Sequence, residues 1–223
     1  GNITTGLELI RKTMGDTEKV VGISSYLLTK ADGTKFGKSE SGALWLDTKL
    51  TSPYAIYQYF LNSSDADVIK YLKNLTLLSP ETIMDLEQKV INEPHLREAQ
   101  KTLAKEIVTF LHGIDAYNNA QKITKSLFEG KIKELNDTEI EQALNDVPTT
   151  SIKEEMNIID LLVVANIVSS KREAKEMIDG NAITINDEKI TDINFVISAN
   201  NAISNKYTVI RKGKKNYYLI KHI

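Results

Sequence analysis

The sequence predicts a mainly α protein that ends in a small α+β module. Three observations predict it. Apolar residues recur at helical spacing almost without interruption over residues 52–130. Short β-branched and aromatic runs bounded by turn residues are concentrated after residue 180. A polar, acidic stretch at 131–155 separates the two patterns. With 223 residues, 41% of them hydrophobic and 26% charged, the chain is long enough for two or three small packed domains. It contains no cysteine, which excludes a disulfide framework, a thiolate metal site and a cysteine nucleophile, and fits a reducing compartment. The longest apolar run, 158–168, is broken by Asp160 and Asn166, so no membrane span is expected.

The elements follow in order. Ile3, Leu7, Ile10 and Met14 mark a first helix over 1–14, and the absence of an initiator Met and of any signal-peptide pattern suggests a chain cut from something longer. Tyr26, Leu27 and Leu28 read as a short buried strand. Residues 30–41 form a glycine-containing loop, after which Leu44, Trp45 and Leu46 are apolar again. Ser52 before Pro53 and Ser79 before Pro80 are helix starts, a capping hydroxyl followed by proline at the first helical position. Ser64 or Asp65 serves to cap the helix between them, and two more helices are expected at 95–112 and 114–129. Residues 131–155 read as a mobile linker with one short helix around Ile140 and Leu144. From Met156 onward the pattern is two helices, the second capped by Ser170 and ended by Gly180, followed by a hairpin turning at Asn186-Asp187 and a second turning at Gly213. Tyr54, Tyr57, Tyr59 and Phe60 fall at helical spacing and are read as core, with no stacking role.

Formal charge is uneven: +1 over 1–52, −6 over 53–155 and +3 over 156–223, for a net of −2. A polyanion-binding surface therefore belongs at the C-terminal end. There, Lys171, Arg172 and Lys175 occupy the first turns of a helix, whose N-terminal N–H groups also favour phosphate. Arg211, Lys212, Lys214 and Lys215 crowd one hairpin tip, with Asn181 and Lys189 as secondary candidates. Basic hairpin tips are also common solubility features, and the residues alone leave both readings open. His95, His112 and His222 lack neighbouring ligands at metal spacing, so no protein-bound metal is expected.

The segment KADGTKFGKSES, residues 30–41, carries the densest chemistry. Lys35 and Lys38 flank Phe36-Gly37 on a pliable backbone, with Ser39 beside them. Two ammonium groups on a movable loop suit charge developing on a phosphate leaving group, because contacts that tighten on closure favour the transition state. A lysine-rich turn is more often plain solvated surface, and the pattern is not a Walker loop.

KFGKS resembles the KMSKS signature of class I aminoacyl-tRNA synthetases. Its surroundings, GNITTGLELIRK, LLTKADGTKFGKSESGALWLD and TSPYAIYQYFLN, are similar to the bacterial tyrosyl-tRNA synthetases in particular. NIIDLLVVANIVSSKREAKEMI and GNAITINDEKITD are similar to the small RNA-binding fold named after ribosomal protein S-four. The resemblance implies a C-terminal remnant of a Rossmann-type catalytic domain at 1–51, a helical anticodon-binding domain at 52–130, a linker at 131–155 and the S-four-like module at 156–223. It implies that Lys35 and Lys38 bind the ATP phosphates and stabilise departing pyrophosphate, with Phe36, Gly37 and Ser39 completing the motif. Leu27 and Leu28 match the segment that lies against adenine. Anticodon contact is implied near 62–67, where Asp65 or Asp67 is suited to accept hydrogen bonds from a guanine edge, although Asp65 is equally a helix cap. For Lys171, Arg172, Lys175, Arg211 and Lys212 it favours tRNA binding.

The implied activity is that of a cytoplasmic tyrosine–tRNA ligase. ATP, with Mg2+ carried on the nucleotide, activates tyrosine, and the tyrosyl group passes to tRNA(Tyr). The family's His-x-Gly-His element, tyrosine pocket and dimer-forming insertion have no counterpart in these residues. This chain alone is thus expected to be monomeric and inactive, whereas the full-length enzyme is expected to be a homodimer. The alternative is a non-catalytic RNA-binding protein derived from a synthetase.

Overall fold

The computed structural model describes residues 1–15, 19–36, 44–145, 147–213 and 216–223. It divides into two units, Gly1–Ala43 and Leu44–Ile223.

The first unit begins with α1 (Asn2–Met14), closed by Gly15 at φ 88°. Its basic last turn, Arg11 and Lys12, suits the helix C-terminus. None of its residues is buried, and Ile3, Leu9 and Met14 stand 49%, 62% and 64% exposed. The strand expected at 26–28 does not form: Tyr26 is fully exposed, and among the described residues the only pairing nearby is an isolated bridge between Thr29 and Lys35. A strand needs a ladder partner and a face to bury, and among the described residues of this unit none lies alongside.

The second unit starts with a helical bundle: α2 (Pro53–Leu61), α3 (Asp65–Leu75), α4 (Pro80–Asn92), α5 (Glu98–His112) and α6 (Ile114–Glu129). Ser52, Ser64 and Ser79 each accept a hydrogen bond from the backbone N–H three residues on, at 3.1–3.2 Å, so the local cap signals set three of the five helix starts. Ala99, Leu103, Ala104 and Val108 are fully buried on α5, and α2, α3, α4 and α6 all pack against that helix.

Helix α7 (Asp137–Ala143) opens with a reciprocal cap between Asn136 and Glu139. Then come β1 (Thr149–Ile152), β2 (Met156–Asn157), α8 (Ile158–Val164), α9 (Lys171–Asp179), β3 (Ile183–Ile185), β4 (Glu188–Lys189), β5 (Val196–Ile197), β6 (Tyr207–Lys212) and β7 (Asn216–His222). Five strands form one sheet in the order β1-β7-β6-β3-β4, with β1 parallel to β7 and the other pairs antiparallel; β2 and β5 make a separate ribbon. Ile183, Ile185, Ile210 and Ile220 face α8 and α9. Tyr207, Val209 and Leu219 point the other way, into a core shared with Ile123 of α6 and with Ile132, Leu135, Ile140 and Leu144.

The segment 131–155, expected as a mobile linker, is thus built into the second unit. Four of its apolar side chains cover one face of the sheet, and β1 supplies an edge strand. Too few apolar residues lie in it to give a periodic signal, and β1 pairs with a strand about seventy residues away, which no local pattern reveals. The Asn186-Asp187 turn forms as expected, with both residues at positive φ (46° and 70°). Asn186 is buried and accepts from the Val209 N–H at 2.8 Å, while the Asp187 carboxylate accepts from the Ile132 N–H.

Candidate nucleotide loop and nucleic-acid interface

In the first unit, the half of the lysine loop that is described closes on itself. Gly33 sits at φ 83°, a backbone region that favours glycine, and its N–H donates to the Lys30 carbonyl at 3.0 Å. Asp32 Oδ1 accepts from both the Thr34 N–H (2.9 Å) and the Thr34 hydroxyl (2.6 Å), and these bonds hold its carboxyl below the ordinary range. The Lys30 N–H donates to Thr34 O, and the Phe36 N–H donates to Leu28 O at 3.0 Å. The result is a miniature hairpin with Leu28 and Phe36 at its open end, both half-buried, and with Lys35 exposed. Leu27 is 63% exposed. Gly37, Lys38 and Ser39 lie outside the described residues, so the spacing between the two motif lysines does too.

In the second unit, the α2–α3 connection is held from α5. The Arg97 guanidinium donates to the carbonyls of Leu61 (2.7 Å) and Ser63 (3.0 Å). Fully buried Gln100 donates to Asp65 Oδ1 at 2.6 Å. Ser64 is the helix cap, which leaves Asp65 exposed at the first helical position with one oxygen engaged. Asp67 is buried and bonded to the Ser64 hydroxyl, so of the two carboxylates only Asp65 presents itself to solvent. Arg97 and Gln100 were invisible to sequence reasoning, because the residues they hold lie 34–36 positions away and no local motif marks them.

The cations after residue 156 do not form one free patch. Lys171 is paired with Asp160 at 2.6 Å, and Arg172 with Glu176 at 2.9 Å, both on exposed side chains where such pairs are weak and readily exchanged for another anion. Lys175 has no ion-pair partner among the described residues. Arg211 and Lys212 are neighbours on β6, and alternation along a strand sends them to opposite faces. Lys212 reaches the α8–α9 side, donating to Ile167 O (2.9 Å) and Glu173 Oε1 (3.2 Å). Arg211 lies on the other face, in a cross-strand row with Tyr217 of β7, Thr184 of β3 and, one strand further, Lys189 of β4. Its Nε is buried without a hydrogen-bond partner among the described residues. Lys189 is exposed in that row, whereas Asn181, at φ 54°, is the left-handed residue that follows α9. Lys214 and Lys215 lie outside the described residues. No helix among the described residues is long and apolar enough to cross a membrane.

The chain is similar to known proteins along almost its whole length. Residues 1–129 match the family model described as tRNA synthetases class I (W and Y), and residues 139–220 match the tyrosine–tRNA ligase SYY-like C-terminal domain. Tyrosine–tRNA ligase 1 of Enterococcus faecalis is 51% identical over 222 residues, covering 99% of this chain and 53% of that protein. The tyrosine–tRNA ligase of Listeria monocytogenes is 49% identical over 223 residues, covering all of this chain and 53% of its own length. A solution structure of a tyrosyl-tRNA synthetase C-terminal domain is 40% identical, with a TM-score of 0.36, over 40% of this chain and 92% of that one. The chain spans about half the length of the curated relatives it matches.

Proposed function

The chain belongs to the class I tyrosyl-tRNA synthetases, and from that premise we propose that it supplies two parts of a tyrosine–tRNA ligase: the loop that stabilises pyrophosphate and the surfaces that hold tRNA(Tyr). The complete enzyme, acting in the cytoplasm as a homodimer, joins tyrosine to the AMP moiety of Mg-ATP and passes the tyrosyl group to its tRNA. Within it, residues 1–51 are the end of the catalytic domain, 52–130 the anticodon-binding domain and 156–223 the S-four-like module.

The observation that carries this reading is the closed turn at 30–36, which delivers Lys35 exposed at the exit of a short hairpin. The motif continues in sequence with Gly37, Lys38 and Ser39. Lysine ammonium groups there act electrostatically: they neutralise charge that builds on the β- and γ-phosphates as the bond to the α-phosphate breaks. No covalent intermediate with the protein is needed. Leu27 and Leu28, just ahead of the hairpin, lie against the adenine. Phosphates of the tRNA meet Lys171, Arg172, Lys175 and Arg211, and the free oxygen of Asp65 accepts from a base edge. The −6 charge of 53–155 supports a narrow, base-directed contact there over broad phosphate binding.

Exchanging Lys35 and Lys38 together for alanine in an intact enzyme carrying this sequence is expected to slow adenylate formation by roughly a hundredfold or more, with the melting temperature unchanged. Undiminished ATP–pyrophosphate exchange by that double variant would refute the reading. The 223 residues contain no His-x-Gly-His element, so this chain alone should support no such exchange. In filter binding it should prefer tRNA(Tyr) to a non-cognate tRNA, and equal binding would favour a generic RNA-binding protein.

A further inference from the structure

The end of β6 is tied to the start of α9 through one carboxylate. Glu173 Oε1 accepts from Lys212 Nζ at 3.2 Å, and its Oε2 accepts from the Ser169 N–H at 2.8 Å and the Ser169 hydroxyl at 2.7 Å. Lys212 Nζ also donates to Ile167 O at 2.9 Å, so two of its three donors are used inside the fold. The Gly213 N–H donates to Ala182 O at 2.8 Å and ties the residue after β6 to the start of β3. Burial separates this pair from Lys171 and Arg172. The Lys212 and Glu173 side chains are 23% and 29% exposed, against 69% for Lys171 and 89% for Arg172.

We propose that Lys212 and Glu173 form a charge-neutral clasp that sets the end of β6 against α9, making Lys212 a positioning residue for the RNA-facing cations and not a phosphate ligand. The inference rests on the tRNA-binding reading and sharpens it. Unless it displaced the ion pair or the backbone carbonyl, an RNA phosphate would have only the third Lys212 donor, on a side chain 23% exposed. Lys175, Arg211 and Lys189 have no such bonds to break among the described residues. The bonds from Ser169, and after them the one from Lys212, hold the Glu173 carboxyl down to about 2, so this carboxylate is ionised at neutral pH.

The test uses the whole 223-residue chain, a tRNA(Tyr) transcript and the salt dependence of its dissociation constant. Simple electrostatics predicts that removing an acid beside a polyanion site tightens binding; the clasp predicts the opposite. Glu173→Ala and Lys212→Met are each expected to weaken binding about tenfold, roughly the effect of one lost charged hydrogen bond. Both should leave the salt slope unchanged, and Lys212→Arg, which keeps the ion pair, should bind like the parent. Arg211→Met should instead lower the slope by about 0.7–0.9, the signature of one lost phosphate contact. Thermal melting of each variant separates displacement of the end of β6 from global unfolding, and Lys212→Arg carries the test if Glu173→Ala does not fold. Tighter or equal binding by Glu173→Ala, a slope for Lys212→Met that falls as for Arg211→Met, or weakened binding by Lys212→Arg, would overturn the clasp. If Arg211→Met and Lys175→Met also leave affinity and slope untouched, or the chain binds no tRNA, the RNA-binding reading itself falls, and the clasp's role falls with it.

Discussion

The two units of this chain both contain apolar and charged residues but differ in what they do with them. In Leu44–Ile223, leucines and isoleucines from the bundle, the connecting segment and the sheet are removed from water. In Gly1–Ala43 no described side chain is buried, and Val21, Ile23 and Tyr26 stand 82%, 84% and 100% exposed. Only the second unit has the burial from which cooperative stability comes. The first is held by local bonds, an α-helix and a five-residue turn.

That contrast can be broken by mutation. Leu103→Ala, at the fully buried centre of α5, is expected to cost about 3 kcal/mol in urea denaturation, whereas Ile23→Ala should stay within about 0.5 kcal/mol. Comparable losses at both sites would mean that the first unit belongs to the same cooperative core. Caps give a smaller version of the same contrast. Ser79→Ala removes the hydroxyl that starts α4 and should cost about 1 kcal/mol, while Thr4→Ala in exposed α1, whose hydroxyl bonds only the Gly1 carbonyl, should leave the global transition where it is.

The finest test is titration. Asp32 in the first unit and Glu173 in the second are both held below their ordinary carboxyl values, Glu173 at about 2 against 4.5. A depressed folded value favours the ionised form. Its stabilisation is present above the unfolded value and is lost as pH falls through the folded one. Glu173→Gln should therefore flatten the loss of stability between about pH 4.5 and pH 2, as followed by circular dichroism. Asp32→Asn should leave that profile unaltered, because the turn it serves is not part of the unfolding core.

What the sequence made legible was whatever is decided within a few residues. Ser52-Pro53 and Ser79-Pro80 announced helix starts, and Asn186-Asp187 announced a hairpin, because capping and left-handed turns are local chemistry. The family, too, was legible from motif order. What was hidden was decided at a distance. Lys212 and Arg211 look alike as neighbours in a basic run, and only the pleat of β6 separates them, one into an ion pair and one onto the opposite face of the sheet. Asp65 and Asp67 are two residues apart, and only packing by Gln100 and Ser64 shows which of them meets solvent. The strand expected at 26–28 failed for the converse reason: its apolar residues promised a ladder that no described neighbour in the unit provides.

The order β1-β7-β6-β3-β4 carries a practical warning. At one margin of the sheet, β4 is two charged residues long, too short to recruit a foreign strand. At the other, the seven-residue β7 is shielded only by β1, which belongs to the stretch that sequence reading assigned to a linker. A module excised at Met156 would lose that shield and offer a bare, self-complementary edge to its own copies. Insoluble aggregates from such a truncation would thus report a missing cover strand, whereas a cut placed before Thr149 retains the cover and the guarded margin with it.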